Sequence, residues 1–394
     1  MSYNLKVPER ILMGPGPSNV SPSVLEASGK PMIGHLDPDF IRIMDEVTIM
    51  LRKIFQTDNK LTFPVSATGS AGMETVCANL IEEKDNVLIC INGIFGKRMA
   101  DVAERCGANV YTVESRWGHI IEPEDVKKAL EKAKFKMVGI VHAETSTGVW
   151  QPLEEISKIV HEAGALFVTD HVTALGGIPV EIDKLQIDAA YAGTQKCLSA
   201  PPGLSPVTFN EKALNVIRNR RKKVQSWYLD INMIANYWGG KERVYHHTAP
   251  ISSIYALHRA LSNILDEGLE NVFNRHLTLG QALHKALESM GLKLFVEEEK
   301  YRLPELTSVY LPNNVDDKTV RMKLLNDFNI EIGPGLGEYA GKIWRIGLMG
   351  YTCNKNNLIL FINALGLILN DLGYKCDIGL AVNSAYKHII TNLN

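Results

Sequence analysis

The sequence predicts an α/β protein: a large domain with a mostly parallel sheet flanked by helices, followed by a smaller α+β domain. Three observations carry this. Between about residues 20 and 270, short apolar runs alternate with amphipathic stretches, as strand–helix–strand units do. Two of those runs, 165–170 and 187–196, end in an ionisable residue, Asp170 and Lys196. From about Asn271 the texture changes to longer helices separated by isolated strands.

In chain order, strands are expected at 86–91, 109–113, 137–142, 166–169, 189–192 and 205–209, with helices such as 124–134 and 152–163 between them. The spacing leaves room for right-handed crossovers. A long helical stretch at 267–290 then leads through 293–296 to a strand at 306–311. A helix at 318–328, a strand at 343–347 and a last amphipathic helix at 356–372 complete the smaller unit. The expected divisions are an N-terminal extension (1–21), a large domain (22–270) and a small domain (271–394).

Composition excludes several classes. The net charge of −2 gives no electrostatic reason to expect nucleic acid or an anionic membrane as partner. One basic cluster, Arg218 to Lys223, reads as a solvated helix face. The six cysteines form no CxxC pair, which argues against a zinc ribbon or disulfide scaffold and fits a reducing compartment. No apolar run reaches the ~18 residues needed to span a bilayer, and no signal peptide or peroxisomal tripeptide is recognisable. A cytosolic protein that binds no metal is expected.

The chemistry begins with Asp170 and Lys196, each at the C-terminal end of a strand-like run, the edge where α/β enzymes place their sites. Each alone also reads as a helix-capping aspartate or a surface lysine. Together they are the pair that pyridoxal 5′-phosphate (PLP) needs. The amine forms a Schiff base with the aldehyde, and the carboxylate keeps the pyridine nitrogen protonated so that the ring acts as an electron sink. Residues 67–72 form a small-residue loop (Thr68, Gly69, Ser70) opening a helix, which suits a phosphate. Neither a Walker P-loop nor a dinucleotide GxGxxG is present. Phe95, after the 86–91 strand, lies at the same edge and reads either as a ring-stacking residue or as core. Thr145, after the 137–142 strand, brings a hydroxyl there.

The motifs Gly14-Pro-Gly-Pro-Ser18, Asp170-His-Val-Thr-Ala-Leu-Gly-Gly177, Gly193-Thr-Gln-Lys196 with Ala200-Pro-Pro-Gly203, Tyr245-His-His-Thr248, and Gly335-Leu-Gly337 with Trp344-Arg-Ile-Gly347 occur in this order. Together they resemble the alanine–glyoxylate and serine–glyoxylate aminotransferases, class V enzymes of PLP fold type I, from about residue 10 to 370. The resemblance implies that Lys196 is the Schiff-base lysine and proton shuttle, that Asp170 pairs with the pyridine nitrogen and that Val172 packs on the ring. It places the phosphate at Thr68, Gly69 and Ser70 with help from Gln195. It also implies a homodimer, with the N-terminal extension contacting the partner and with Tyr245 and Thr248 reaching the neighbouring subunit's phosphate. Arg345 would clamp the substrate carboxylate, its planar fork suited to a bidentate grip, with Thr145 and Gly16 beside it. Residues 32–40 are expected in the pocket wall. His35 reads there either as a residue that sets donor choice or as a structural histidine at a helix N-terminus.

The chain departs from many relatives at Phe95 (often Trp), Ser70 (often His), Thr145 (often Ser) and His171 (usually a small residue or Thr). The function implied is ping-pong transfer of an amino group to glyoxylate from alanine, with serine next and a bulkier donor such as 3-hydroxykynurenine as alternative. A PLP lyase or cysteine desulfurase has less support: the desulfurases need a mobile cysteine, and Cys353 follows Arg345 too closely for a long loop. A non-enzymatic PLP-fold subunit should have lost Lys196 or Asp170, and both are present. A metal site on His246 and His247 is discounted because neighbours in a strand point to opposite faces.

Overall fold

The computed structural model describes residues 4–239 and 243–393. Residues 1–3 of the expected extension, 240–242 of the expected large domain and Asn394 lie outside them. The main sheet has seven strands: β1 (Leu61–Val65), β2 (Asn86–Ile91), β3 (Asn109–Glu114), β4 (Met137–Val141), β5 (Leu166–Asp170), β6 (Ala189–Tyr191) and β7 (Ser205–Phe209). Their spatial order is β1-β7-β6-β5-β4-β2-β3. Only β7 runs against its neighbours, so the other six strands point their C-terminal ends to one edge.

Helices cover both faces, so the central strands are buried throughout; β4 and β5 have no exposed position. The sequence leaves β1 unassigned. Its apolar run is interrupted by Pro64, which stands opposite Pro206 of β7, so one rung of this edge pairing holds two residues without an N–H. The helix expected at 267–290 is Leu269–Ser289; a separate helix, Ile251–Glu267, precedes it, the two divided by Gly268 in a positive-φ conformation (φ +86°).

The smaller unit holds a three-stranded sheet of β8 (Leu306–Tyr310), β9 (Gly333–Pro334) and β10 (Ile343–Gly347), ordered β8-β10-β9. The helix expected at 356–372 is Lys355–Asp371. A further helix, Ile378–Asn392, follows it, capped by Asp377 and packed through Ala381, Ala385 and Ile389 near helix Leu269–Ser289. Residues 11–13 belong to this unit as well. Ile11–Leu12 pairs in parallel with Ile330–Glu331, and the Met13 carbonyl accepts from Gly347 N at 2.7 Å. The 14–18 segment then crosses to the Lys196 loop, where Ser18 N donates to the Gln195 carbonyl at 2.8 Å. Among the described residues no helix is long and apolar enough to cross a membrane.

Candidate active site

The common strand edge carries a cavity of about 240 Å³ lined by Thr68, Gly69, Ser70, Phe95, Thr145, Asp170, Val172, Gln195 and Lys196. Nine residues expected from the sequence thus meet in one place, brought by five strand ends. Tyr191, Arg98 and Met73 also line it.

Asp170 ends β5 and is almost fully buried. One oxygen, Oδ1, accepts from Val172 N at 2.7 Å, and Oδ2 accepts from the Tyr191 hydroxyl at 2.8 Å. Burial raises its pKa to about 7, and those two donors oppose the rise. No side-chain cation hydrogen-bonds it among the described residues, so the carboxylate suits a cationic ligand atom.

Lys196 leaves the loop after β6, and its Nζ donates to the Pro15 carbonyl. Burial lowers its pKa to about 8, and the positive charge of Arg345 adds to this. The amine is therefore much closer to its neutral, nucleophilic form than a surface lysine. Gly16 (φ +100°) lies directly against the Lys196 side chain; a Cβ there would overlap it. The sequence places Gly16 at the substrate, and the structure shows that its small size makes room for the lysine.

Two helices begin at this edge and differ in a decisive way. The first turn of Ile94–Arg105 is occupied by Glu144, whose carboxylate accepts from Phe95 N (3.1 Å) and Gly96 N (3.4 Å), and from Ser146 Oγ (2.6 Å). Burial raises the Glu144 pKa, and these donors oppose it. The first turn of Gly69–Leu80 has no side-chain cap and no acidic residue. It opens on the cavity beside Gln195, whose buried Oε1 has no partner among the described residues. Such a helix end can hold an anion such as a phosphate. The residues present fit PLP: an uncapped helix end, a buried carboxylate without a cation, and a lysine of lowered pKa in one cavity.

Arg345 of β10 lies behind Thr145, outside the cavity lining. Its Nε donates to the Pro334 carbonyl (2.8 Å) and Nη1 to the Thr145 carbonyl (3.0 Å). Burial lowers its pKa to about 10, and the Glu144 carboxylate opposes this. His35, Tyr245 and Thr248 are not among the lining residues. Tyr245 is 56% exposed and its ring packs at a tilt of 55° against His35, with ring centroids 5.2 Å apart. His35 precedes Asp37, the cap of helix Pro38–Phe55.

The class-V aminotransferase family matches residues 18–353 of this chain. The chain belongs to that family. Among relatives, an alanine–glyoxylate aminotransferase of Rattus norvegicus is 42% identical over 91% of this chain and 87% of its own. An (S)-ureidoglycine–glyoxylate transaminase of Bacillus subtilis is 40% identical over 97% and 95%. Two crystal structures agree with the fold: an alanine–glyoxylate aminotransferase from a Nostoc species (TM-score 0.92, 48% identity, 94% of this chain and 97% of that one) and the Bacillus subtilis ureidoglycine–glyoxylate aminotransferase (TM-score 0.96, 41% identity, 98% and 100%). The PLP fold type I expectation is met, and the cofactor of this class-V aminotransferase is PLP.

His246 and His247 depart from expectation. Residues 243–247 are not a strand, and the His246 and His247 rings touch, with Nδ1 atoms 2.8 Å apart. The opposite-face argument therefore fails, although among the described residues no group of three or more potential ligands could hold a metal. Cys353 is buried, and burial pushes its thiol up to about 12, the reverse of a mobile nucleophile.

Three contributors escaped the sequence reading. Tyr191 stands in the run 189–192, otherwise all alanine, and a single aromatic in a buried strand reads as core. Arg98 reads as a solvated helix residue, yet its guanidinium lies 4.9 Å from the Phe95 ring centroid at the cavity. Glu144 sits in the Thr145 motif, and its acidity beside a glycine-led helix start is the signal that was available.

Proposed function

We propose that this class-V aminotransferase moves an amino group from L-alanine to glyoxylate, giving pyruvate and glycine. The observation that carries the proposal is the meeting of a lysine of lowered pKa and an unpaired buried carboxylate in a small cavity, with an arginine one residue behind its wall. Alanine and glyoxylate are small acids that need little beyond a carboxylate clamp. The rat and Nostoc relatives bear the alanine–glyoxylate name.

Bound PLP supplies an electron sink for the electron pair left when the substrate Cα loses its proton. The chain's residues would do the rest. Lys196, its pKa lowered to about 8, would take the Cα proton and return it. Asp170, held by Val172 N and Tyr191, would face the pyridine nitrogen. Val172 and Phe95 would pack on the ring, and the Gly69–Leu80 helix end with Gln195 would hold the phosphate. Arg345, with Nη2 uncommitted among the described residues, grips the substrate carboxylate next to Thr145. The same residues serve both half-reactions, so ping-pong kinetics are expected.

The site would be completed in a homodimer, with Tyr245 and Thr248 reaching the neighbouring copy. Supporting this, Tyr245 packs against His35, and its chain neighbour Val244 and the residues Met32 and Leu36 flanking His35 are exposed apolar side chains of the kind an interface would cover.

A second donor, (S)-ureidoglycine, is favoured by the Bacillus subtilis relative, which spans the chain almost end to end. Glycine formation from glyoxylate with L-alanine, L-serine or (S)-ureidoglycine as donor separates the readings. Alanine should give the highest kcat/KM; a clear preference for ureidoglycine would replace the donor while keeping the acceptor.

A further inference from the structure

His171, a departure from the family pattern, is fully buried and does not line the cavity. It belongs to a chain of four side chains behind Asp170. The Trp150 indole Nε1 donates to His142 Nε2 at 3.0 Å, His142 Nδ1 meets His171 Nδ1 at 3.1 Å, and His171 Nε2 meets Thr169 Oγ1 at 2.7 Å. An indole nitrogen is only a donor, which fixes the direction of every link. His142 Nε2 must accept, so neutral His142 carries its proton on Nδ1 and donates to His171 Nδ1. His171 then carries its proton on Nε2 and donates to Thr169. Burial holds both imidazoles far below the ordinary histidine range, so both stay neutral.

The chain grips the backbone on both sides of Asp170. Thr169 precedes it and His171 follows it. His142 N donates to the Asp170 carbonyl at 3.0 Å, and His171 N donates to the Tyr191 carbonyl at 2.8 Å. The next residue, Val172, supplies the N–H that holds Asp170 Oδ1. Its side chain lies over Gly69, where a Cβ would come within 3.1 Å of Val172 Cγ2. Asp170 and Val172 face the cavity while His171 points into the protein.

We propose that His171 is a positioning residue: its ring, locked in one tautomer by Trp150 through His142, fixes the turn that aims Asp170 and Val172 at the cofactor. This rests on the reading of Asp170 as the partner of the pyridine nitrogen.

The test measures the equilibrium affinity of the PLP-depleted full chain for PLP, together with nitrogen-15 shifts of the histidine rings. His171→Phe removes both links and should weaken PLP binding about tenfold or more. His171→Asn, which keeps an acceptor for His142, should recover to within about threefold of wild type. Because Trp150 acts through the same chain, the double variant with Trp150→Phe should bind no more weakly than His171→Phe alone. The shifts should show Nδ1–H on His142 and Nε2–H on His171. A folded His171→Phe with unchanged affinity, equal losses in the Asn and Phe variants, additive losses, or the opposite tautomers would overturn the proposal. Should His171→Phe fail to fold, Trp150→Phe and the tautomers decide: wild-type affinity in Trp150→Phe refutes the lock. Asp170→Asn, measured in parallel, isolates the underlying reading: unchanged affinity there means that the Asp170 assignment itself has failed.

Discussion

The Tyr191 hydroxyl donates to Asp170 Oδ2 at 2.8 Å from the neighbouring strand, inside the core of the large domain. A buried carboxylate with two donors and no hydrogen-bonded cation among the described residues is poised between its charged and neutral forms, and Tyr191 is one of three groups, with Val172 N and Arg98, tilting it toward charge. Tyr191→Phe removes that donor without changing the ring. The Asp170 pKa should rise further, and PLP should bind roughly fivefold to a hundredfold more weakly, the range for one lost buried hydrogen bond. Equilibrium titration with PLP checks this; unchanged affinity in a folded variant would show that the tyrosine is only core.

The lowered pKa of Lys196 has a kinetic signature. Only the neutral amine attacks an aldehyde, so covalent capture of PLP by the PLP-free protein should accelerate as pH rises and level off above about 8. A lysine at its ordinary value of 10.5 would keep accelerating for two further pH units or so. Stopped-flow absorbance across pH 6 to about 10.5 separates the two.

Arg345 should reveal itself twice. Arg345→Gln removes the proposed carboxylate clamp and should raise KM for both acids by about 30-fold or more. It also removes a positive charge that lowers the Lys196 pKa, so the midpoint of the capture rate should move upward. A KM effect with a fixed midpoint would place the guanidinium farther from the lysine than described.

Glu305 makes a prediction about stability. Both its carboxylate oxygens are buried without a hydrogen-bond partner among the described residues, and burial raises its pKa from 4.5 to about 8. A pKa raised in the folded state means that folding favours the proton. Its contribution is fully present below about pH 4.5, declines as pH rises from there through about 8, and then levels. Glu305→Gln should remove that decline, leaving the variant with a higher Tm than wild type at pH 9 by roughly 2 °C or more, and little difference at pH 5. Parallel Tm curves with no pH-dependent gap would mean that the carboxyl finds a partner or water.

How much of this was legible depends on where each residue's partner lies. Asp170 and Lys196 stand at the ends of apolar runs, so strand periodicity alone places them on one edge, and Thr68 to Ser70 announce a helix start by their size. Tyr191 carries no such mark, because its partner is on the next strand and only the register joins Tyr191 to Asp170. The strand at Leu61–Val65 is hidden by Pro64, whose missing N–H is harmless on an edge. The helix Ile378–Asn392 buries only three residues, too narrow a stripe to stand out. The use of Gly16 as space for Lys196 depends on a contact across 180 positions of chain, beyond the reach of local pattern.

The most direct test of the central claim is the absorbance spectrum of the PLP-loaded protein, recorded before and after L-alanine and again after glyoxylate. The account predicts a visible band that alanine removes and glyoxylate restores, and no visible band in Lys196→Ala. A band that no amino acid changes, or no band even with added PLP, would contradict it.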